Sequence, residues 1–290
     1  MQIDPTYAEA YAGIAASYMV LHGYRILPPT EAYPRVRVAA QKALELDETL
    51  SEAHLALGTL KWEYEWDSDG AEREYRRAIE LNPNNATAHQ WYAEKLAATG
   101  RQDEALAEMR RAQELDPVSL AVGVVHGRVF YIGRQYDRAI EQYRKTLEMD
   151  PTFPMGHLNL GRALIQKGDL EGGLRECQQA ARLAGNHPFE LTWLAYANGM
   201  AGNKSETLRL LHQVEAVAQQ SYVASYDIAA VHVSIGESSE AVALLNKAYE
   251  ERFYSLLLMR IEPQFEPLRN DPGFERLVKL VSSRPQRNLP

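Results

Sequence analysis

Apolar and polar residues follow each other along this chain in a pattern that repeats about every 34 residues. Residues 86–119 show one unit, in which apolar or small residues recur every three or four positions from Ala88 onward and so predict an amphipathic helix. Gly100 follows, and glycine readily takes the left-handed conformation that ends helices. A second helical pattern is closed by Pro117, which lacks the N–H that a continuing helix needs. Each unit is therefore predicted to be a helical hairpin.

Short stretches of sequence recur at the same spacing. "AIELNP" at 78–83 returns as "AQELDP" at 112–117 and "TLEMDP" at 146–151, and "ALELDE" precedes them at 43–48. Small residues also recur at one equivalent position of successive units, namely Ala15, Gly58, Ala93, Gly127, Gly161, Ala195 and Ala229. Small side chains let helix axes approach closely. Because two short helices cannot bury their apolar faces alone, the hairpins are expected to stack on one another.

The recurring small residues, the turn glycines and the closing prolines together resemble the tetratricopeptide repeat family. The resemblance implies an all-α fold, a right-handed superhelical α-solenoid of about seven helix-turn-helix repeats with a C-terminal capping helix. The repeats are assigned within 8–255, as 8–50, 51–85, 86–119, 120–153, 154–187, 188–221 and 222–255. Outside them we expect a remnant of a preceding repeat at 1–7, a C-terminal cap at 256–283 and a flexible tail at 284–290.

The two ends carry their own signals. "MQIDP" resembles the close of an earlier repeat, so the chain is interpreted as a fragment of a longer protein. Near the other end, Asp271 is predicted to cap a helix that has Pro272 in its first position. That helix is expected to cover the last repeat with one apolar face, formed by Phe274, Leu277, Val278 and Val281.

Two irregular stretches leave alternatives open. The first unit contains about nine extra residues around "HGYRILPPTEAYPR", which are either a recognition loop or a helix capped by Thr30 that tolerates Pro34 in its first turn. In the second unit, "KWEYEWDSD" at 61–69 carries Trp62, Tyr64 and Trp66. These aromatic side chains form either the lip of a binding site or packing beneath a lengthened turn, and packing is favoured.

Few residues suggest chemistry. The net charge of −8 argues against nucleic-acid binding, and no segment approaches the length of a bilayer span. Cys177 is the one cysteine and is interpreted as a small buried apolar group. His54, His89 and His157 share one repeat position, but equivalent positions in neighbouring hairpins are too far apart to bind one metal ion. We therefore expect no enzyme activity, no cofactor and no metal site.

The family resemblance does point to a binding surface. In tetratricopeptide repeats, fixed positions of each first helix line the concave groove. Here they predict an apolar and aromatic groove with two arginines, formed by Val124, Arg128, Tyr131, Ile132, Leu158, Arg162, Ile165, Phe189 and Tyr196. Arg128 and Arg162 could together hold an acidic group, or they could pair with neighbouring acids. The carboxylate clamp of chaperone-binding members is absent, because Gln90, Glu94, Val125, Met155 and Asn159 stand at its positions.

Longer stretches, including "YEWDSDGAEREYRRAIELNPNNATAHQWYAEKLAATG" and the ending "EPQFEPLRNDPGFERLV", are similar to the C-terminal repeat regions of bacterial signalling proteins. In those proteins the repeats follow a winged-helix, Ser/Thr kinase or nucleotide cyclase domain. The resemblance implies a regulatory or sensing arm that binds a protein or peptide segment; the net charge and the lack of a long apolar segment, given above, lead us to expect neither nucleic acid nor membrane as a partner. The alternative is a structural spacer or homodimerisation element. The expected compartment is the cytoplasm, or the extracytoplasmic side if a parent protein is membrane-anchored.

Overall fold

The structure, a computed structural model, describes residues 6–218 and 221–282. Within those residues the chain forms fifteen α-helices, one π-helix and two short 3-10 helices, and no strand. The α-helices, in chain order, are α1 (Ala8–Gly23), α2 (Pro29–Leu46), α3 (Ser51–Leu60), α4 (Ser68–Leu81), α5 (Ala86–Ala98), α6 (Gln102–Leu115), α7 (Leu120–Ile132), α8 (Tyr136–Met149), α9 (Pro154–Gln166), α10 (Leu170–Leu183), α11 (Pro188–Met200), α12 (Lys204–Ala218), α13 (Ser225–Ser234), α14 (Ser238–Glu250) and α15 (Pro272–Ser282).

Successive helices pack as hairpins from α1–α2 to α13–α14, and neighbouring hairpins stack on one another. The recurring small residues lie where the two helices of a hairpin meet. A Cβ atom added to Gly161 on α9 would lie 2.9 Å from the carbonyl oxygen of Gly173 on α10, so only glycine fits there without a shift of the backbone. At Gly127 the same atom would meet the ring of Tyr143. The all-α superhelix implied by the family resemblance is confirmed.

Turn residues inside the hairpins follow the predicted scheme. Gly100, Gly168, Gly202 and Gly236 each end the first helix of a hairpin with φ between +80° and +88°, which favours glycine. In the hairpin formed by α7 and α8, Arg134 takes this left-handed position with φ of 57°.

The two irregular stretches have specific structures. The α3 helix continues as a π-helix at Lys61–Glu65, which accommodates the extra residue of this unit, and Trp66 then takes a left-handed conformation. The predicted cap at Thr30 is wrong, because α2 already begins at Pro29 and no side chain caps it. Pro34 lies beyond the first turn of α2 rather than within it.

Residues 253–268, here called the C-terminal segment, connect α14 to α15 and contain 3-10 helices at Tyr254–Leu257 and Pro263–Leu268. Asp271 caps α15 as predicted, since its carboxylate accepts hydrogen bonds from the N–H groups of Gly273 (2.7 Å) and Phe274 (3.0 Å). α15 packs on α14 through its predicted apolar face, and all four of those side chains are buried. The segment packs on α13 of the last repeat, where the ring of Phe265 lies 5.0 Å from that of Tyr226, and it also reaches further, because its Leu257 and Ile261 pack against the buried cluster that contains residues of α7.

The first and last hairpins also touch, which closes the superhelix on itself. The Arg25 Nε atom, in the insertion, lies 3.5 Å from the carboxylate of Asp227 on α13. The ring of Trp66 lies 5.5 Å from that of Tyr249 on α14, and a guanidinium N–H of Arg252 donates to the Tyr64 carbonyl at 3.5 Å. The aromatic side chains near residue 64 therefore pack within the fold, in support of the packing interpretation.

The expected flexible tail at 284–290 lies outside the described residues, as do the first five residues of the expected remnant at 1–7. Among the helices that the structure describes, none combines the length and apolar character needed to cross a membrane.

Candidate functional site

The first helices of successive hairpins share one inner surface, which is divided into two parts along the helix axes. The first two turns of α3, α5 and α7 and the beginnings of α9 and α11 line a large open cavity. Arg128 on α7 and Arg162 on α9 lie about a turn or more beyond the residues that line this cavity. Both interact electrostatically with Glu262 on the C-terminal segment. The first part is accessible to a ligand, whereas the second part is filled by the chain itself.

In the filled part, each of the two predicted arginines has partners from the chain itself. The Nε atom of Arg128 lies 3.1 Å from the carboxylate of Glu94 on α5. The guanidinium of Arg162 lies over the ring of Trp193, 3.9 Å from its centroid, and 3.8 Å from the carboxylate of Glu262. An acidic group does lie beside Arg162, as the sequence suggested, but it belongs to the C-terminal segment.

The C-terminal segment is held in place by polar contacts on several helices. The Glu262 carboxylate accepts hydrogen bonds from the hydroxyl of Tyr226 on α13 (2.7 Å) and from the side-chain amide of Gln264. Arg134, just after α7, pairs with Glu266 at 3.3 Å. Aromatic and aliphatic side chains of the segment are almost completely buried, namely Phe253, Leu256, Leu258, Met259, Phe265 and Leu268. The segment is therefore part of the core.

The buried charges of this part stabilise one another. Burial alone would lower the pKa of Arg128, but Glu94 and Tyr254 raise it well above its ordinary value. Burial raises the pKa of Glu63 to about 7, although the hydroxyl of Tyr33 donates a hydrogen bond to its carboxylate. Burial likewise raises the pKa of Asp227, and the neighbouring Arg25 offsets part of that rise.

The nine residues predicted to form the groove are distributed over both parts. Val124 and Phe189 line the open cavity. Leu158, Ile165 and Tyr196 belong to the same buried cluster as Leu256, Met259 and Phe265 of the C-terminal segment, and Tyr131 and Ile132 belong to the cluster on which Leu257 packs. Together with Arg128 and Arg162, these seven residues lie in the filled part. Whether any of the nine binds a partner stays a prediction.

The open cavity, here called the funnel, has a volume of about 980 Å³. One side is formed by the first two turns of the five inner helices, with Leu55, Trp91, Val124, Val125, Met155 and Phe189. The other side is formed by the end of α1 and by the insertion, where Val20, Tyr24 and Ile26 have more than half of their surface exposed. The insertion therefore forms one wall of a cavity. From the sequence it could have been either a recognition loop or the start of a capped helix.

The polar groups of the funnel are mostly acidic or neutral. Glu190 is 6% exposed, and its Oε2 atom has no hydrogen-bond partner although Nδ1 of His187 lies 3.3 Å away. That nitrogen accepts a hydrogen bond from the backbone N–H of Phe189 (3.4 Å), so the neutral ring cannot also donate from it. Burial raises the pKa of Glu190, and His187 and Arg25 offset part of the rise. Glu52, on the first turn of α3, is exposed at the funnel edge.

The histidines that share one repeat position connect the two helices of their hairpins. Nδ1 of His54 lies 2.8 Å from the carboxylate of Glu74, and its Nε2 lies 3.2 Å from the carbonyl oxygen of Glu48. His89 and His157 repeat this arrangement, each with a glutamate of its own repeat (Glu108 and Glu176) and a carbonyl oxygen of the preceding repeat (Pro83 and Pro151). No group of three or more potential metal ligands occurs among residues 6–218 and 221–282. The histidines are structural cross-links.

Comparison with known proteins agrees with the architecture. Residues 67–119 match a family model described as tetratricopeptide repeat, and residues 127–168 match a second model described as TPR repeat. No significant match was found among proteins with curated descriptions.

Solved structures with a similar fold include Pseudomonas aeruginosa PilF, which has 20% sequence identity and a TM-score of 0.53 over 74% of this chain and 93% of that chain. PilW, a type IV pilus biogenesis factor, has 18% identity and a TM-score of 0.58 over 76% of this chain and 96% of that chain. At these identities the likeness concerns the fold alone.

Sequence reasoning missed the C-terminal segment as an occupant of the inner surface. The stretch "FYSLLLMRI" at 253–261 falls partly within the cap expected at 256–283, yet seven of its nine residues are apolar or aromatic. A solvent-facing cap would not need so many, so this density was the available signal. The funnel could not be found from helix positions alone, because its second wall comes from the insertion of the first unit.

Proposed function

We propose that this chain, which contains tetratricopeptide repeats, is a non-catalytic interaction module that binds a segment of a partner protein in the funnel. Tetratricopeptide repeats generally mediate protein–protein interaction. The observation that carries the proposal is an open and largely apolar cavity of about 980 Å³ on the inner surface of the repeats. Apolar concave surfaces with a few polar groups are typical binding sites.

The funnel is a better candidate than the arginine-containing part of the inner surface. A ligand acid that approached Arg162 would have to displace Glu262 and with it the buried side chains of the C-terminal segment. Exposing one large apolar side chain that is buried costs about 1.5–3 kcal/mol. The funnel requires no such displacement, since Tyr24 and Ile26 at its edge are already exposed.

A selection of peptides from a random display library tests the proposal. Ala121 is exposed on the first turn of α7 and lines the funnel, so Ala121→Trp fills part of the cavity without disturbing the core. Ala107 is equally exposed on α6, a second helix, and does not line the funnel; Ala107→Trp is the matched control.

Peptides selected on the unmodified chain are expected to lose at least tenfold in affinity on Ala121→Trp and to keep their affinity on Ala107→Trp. If no selected peptide shows this difference, the funnel is not the binding site. If, in addition, light scattering shows a stable dimer, the alternative role as a dimerisation or spacer element is supported instead.

The role as a regulatory or sensing arm of a larger bacterial signalling protein is also part of the proposal, and it rests on sequence resemblance. In a parent protein with an effector domain, Ala121→Trp should remove the response to the partner while leaving the basal activity of the effector unchanged. An unchanged response would contradict this role.

A further inference from the structure

The side chains that line the funnel give it a negative charge. None of the described residues that line it is a lysine or an arginine, whereas Glu52 and Glu190 contribute two carboxylates. Arg25 lies behind the wall rather than in it, because its guanidinium stacks on Phe189, 5.0 Å from the ring centroid, and is paired with Asp227.

Glu190 shows a specific deficiency. Its side chain is almost completely buried, and one carboxylate oxygen has no hydrogen-bond donor within the described structure. A buried polar atom without a partner costs free energy, and the cost is greater for a charged group. Both Glu52 and Glu190 lie in the first turn of a helix, where an acidic side chain interacts favourably with the helix dipole. This interaction does not supply the missing donor of Glu190.

The size of the funnel limits the ligand. A helix about 11 Å wide has a cross-section of about 95 Å², so a volume of 980 Å³ holds about 10 Å of helix, or roughly two turns. The exposed Val20, Tyr24 and Ile26 offer apolar contact along such a segment.

We infer that the funnel selects an apolar segment of about two helical turns that carries one lysine or arginine, whose cation donates to Glu190. The inference rests on the proposed function and specifies the partner chemistry of the same site. Because the unpartnered oxygen is itself enclosed, the Glu190 side chain must turn toward the cation to accept its hydrogen bond, and charge-assisted hydrogen bonds are stronger than neutral ones. The apolar side chains of the segment would meet the wall formed by Trp91, Val125 and Met155.

Three fluorescein-labelled peptides test the inference. They share one leucine- and alanine-rich sequence with blocked ends and differ at one central position, which is lysine, norleucine or glutamate. We expect fluorescence anisotropy at 0.15 M salt to show that the lysine peptide binds at least tenfold more tightly than the norleucine peptide, and that the glutamate peptide binds weakest. Glu190→Gln should remove most of the preference for lysine, and Glu52→Gln, at an exposed position that does not endanger folding, should reduce it about threefold.

Glu171→Gln is the control, because the Glu171 side chain on α10 is 93% exposed and does not line the funnel. If the lysine and norleucine peptides bind within twofold of each other and Ala121→Trp weakens both, the charge inference fails while the proposed function stands. If the display-selected peptides depend on the funnel but none of the three probes binds, the inference is again wrong. If no peptide of either kind depends on the funnel, the proposed function fails as well.

Discussion

Replacing Glu262 by glutamine tests whether the C-terminal segment fills the inner surface. The Glu262 side chain is 5% exposed and the Arg162 side chain 11%, so the ion pair between them is shielded from water. Glutamine keeps the shape of the side chain and its hydrogen bond with Tyr226, but it removes the charge that faces Arg162. The perturbation is therefore electrostatic and specific to this contact.

The magnitude follows from the geometry of the pair. Removing one partner of a buried ion pair costs about 3–5 kcal/mol. The 3.8 Å separation is long, and Arg162 keeps its contact with Trp193, so we expect a loss of about 3 kcal/mol, at the low end of that range. With a urea dependence of about 3 kcal/mol per molar, the unfolding midpoint should fall by about 1 M.

Urea unfolding followed by tryptophan fluorescence is the assay, since Trp193 lies directly against Arg162. The double variant Glu262→Gln/Arg162→Met removes both charges and should be at least 1 kcal/mol more stable than the sum of the single effects predicts. Glu171→Gln, on the exposed surface of α10, should leave the midpoint unchanged. A midpoint like that of the unmodified chain for Glu262→Gln, or strictly additive single effects, would refute a docked and buried segment.

Three further predictions concern the repeats themselves. Gly161→Ala should destabilise the chain by about 1–3 kcal/mol in urea unfolding, because the added Cβ meets a carbonyl oxygen of α10 at 2.9 Å. Gly13→Ala has open space around the added Cβ and should stabilise the chain by up to about 1 kcal/mol. The hydrogen bond to Glu74 raises the pKa of His54. The stability that this pair contributes is therefore fully present below about pH 6.5 and is lost as the pH rises through the raised pKa. The difference in unfolding free energy between the unmodified chain and His54→Gln should shrink over that range, and a constant difference would contradict the prediction. Burial raises the pKa of Cys177 to about 12, so a maleimide reagent should modify it at pH 7 in urea but not in the folded chain, and rapid labelling of the folded chain would show that the thiol is accessible.

The hairpins could be predicted from the sequence because their conformation depends on residues that are close together in the chain. The positions of Gly100 and Gly168 require a left-handed backbone, and Gly161 lies where another helix approaches within contact distance. Such requirements act over a few residues or between neighbouring hairpins, so they leave a periodic mark in the sequence. The cap of α15 was predictable for the same reason, since Asp271 satisfies N–H groups only two and three residues away.

Contacts between distant parts of the chain leave no comparable mark. Periodicity placed Arg128 and Arg162 on one inner surface, but it could not show that Glu262, a hundred residues from Arg162, would occupy the same place. The insertion illustrates the same limit, because its role as a wall of the funnel depends on how far the superhelix turns before the first hairpin meets the last.

The sequence by itself therefore determined the repeating unit, its small-residue contacts and the absence of recognisable catalytic motifs. The tertiary structure alone decided which half of the inner surface is open, because that depends on the accumulated turn of seven hairpins and on the path of residues 253–268 through their centre. Each hairpin interacts with its neighbours through local rules, whereas superhelical closure is the sum of all of them, and no single residue encodes that sum.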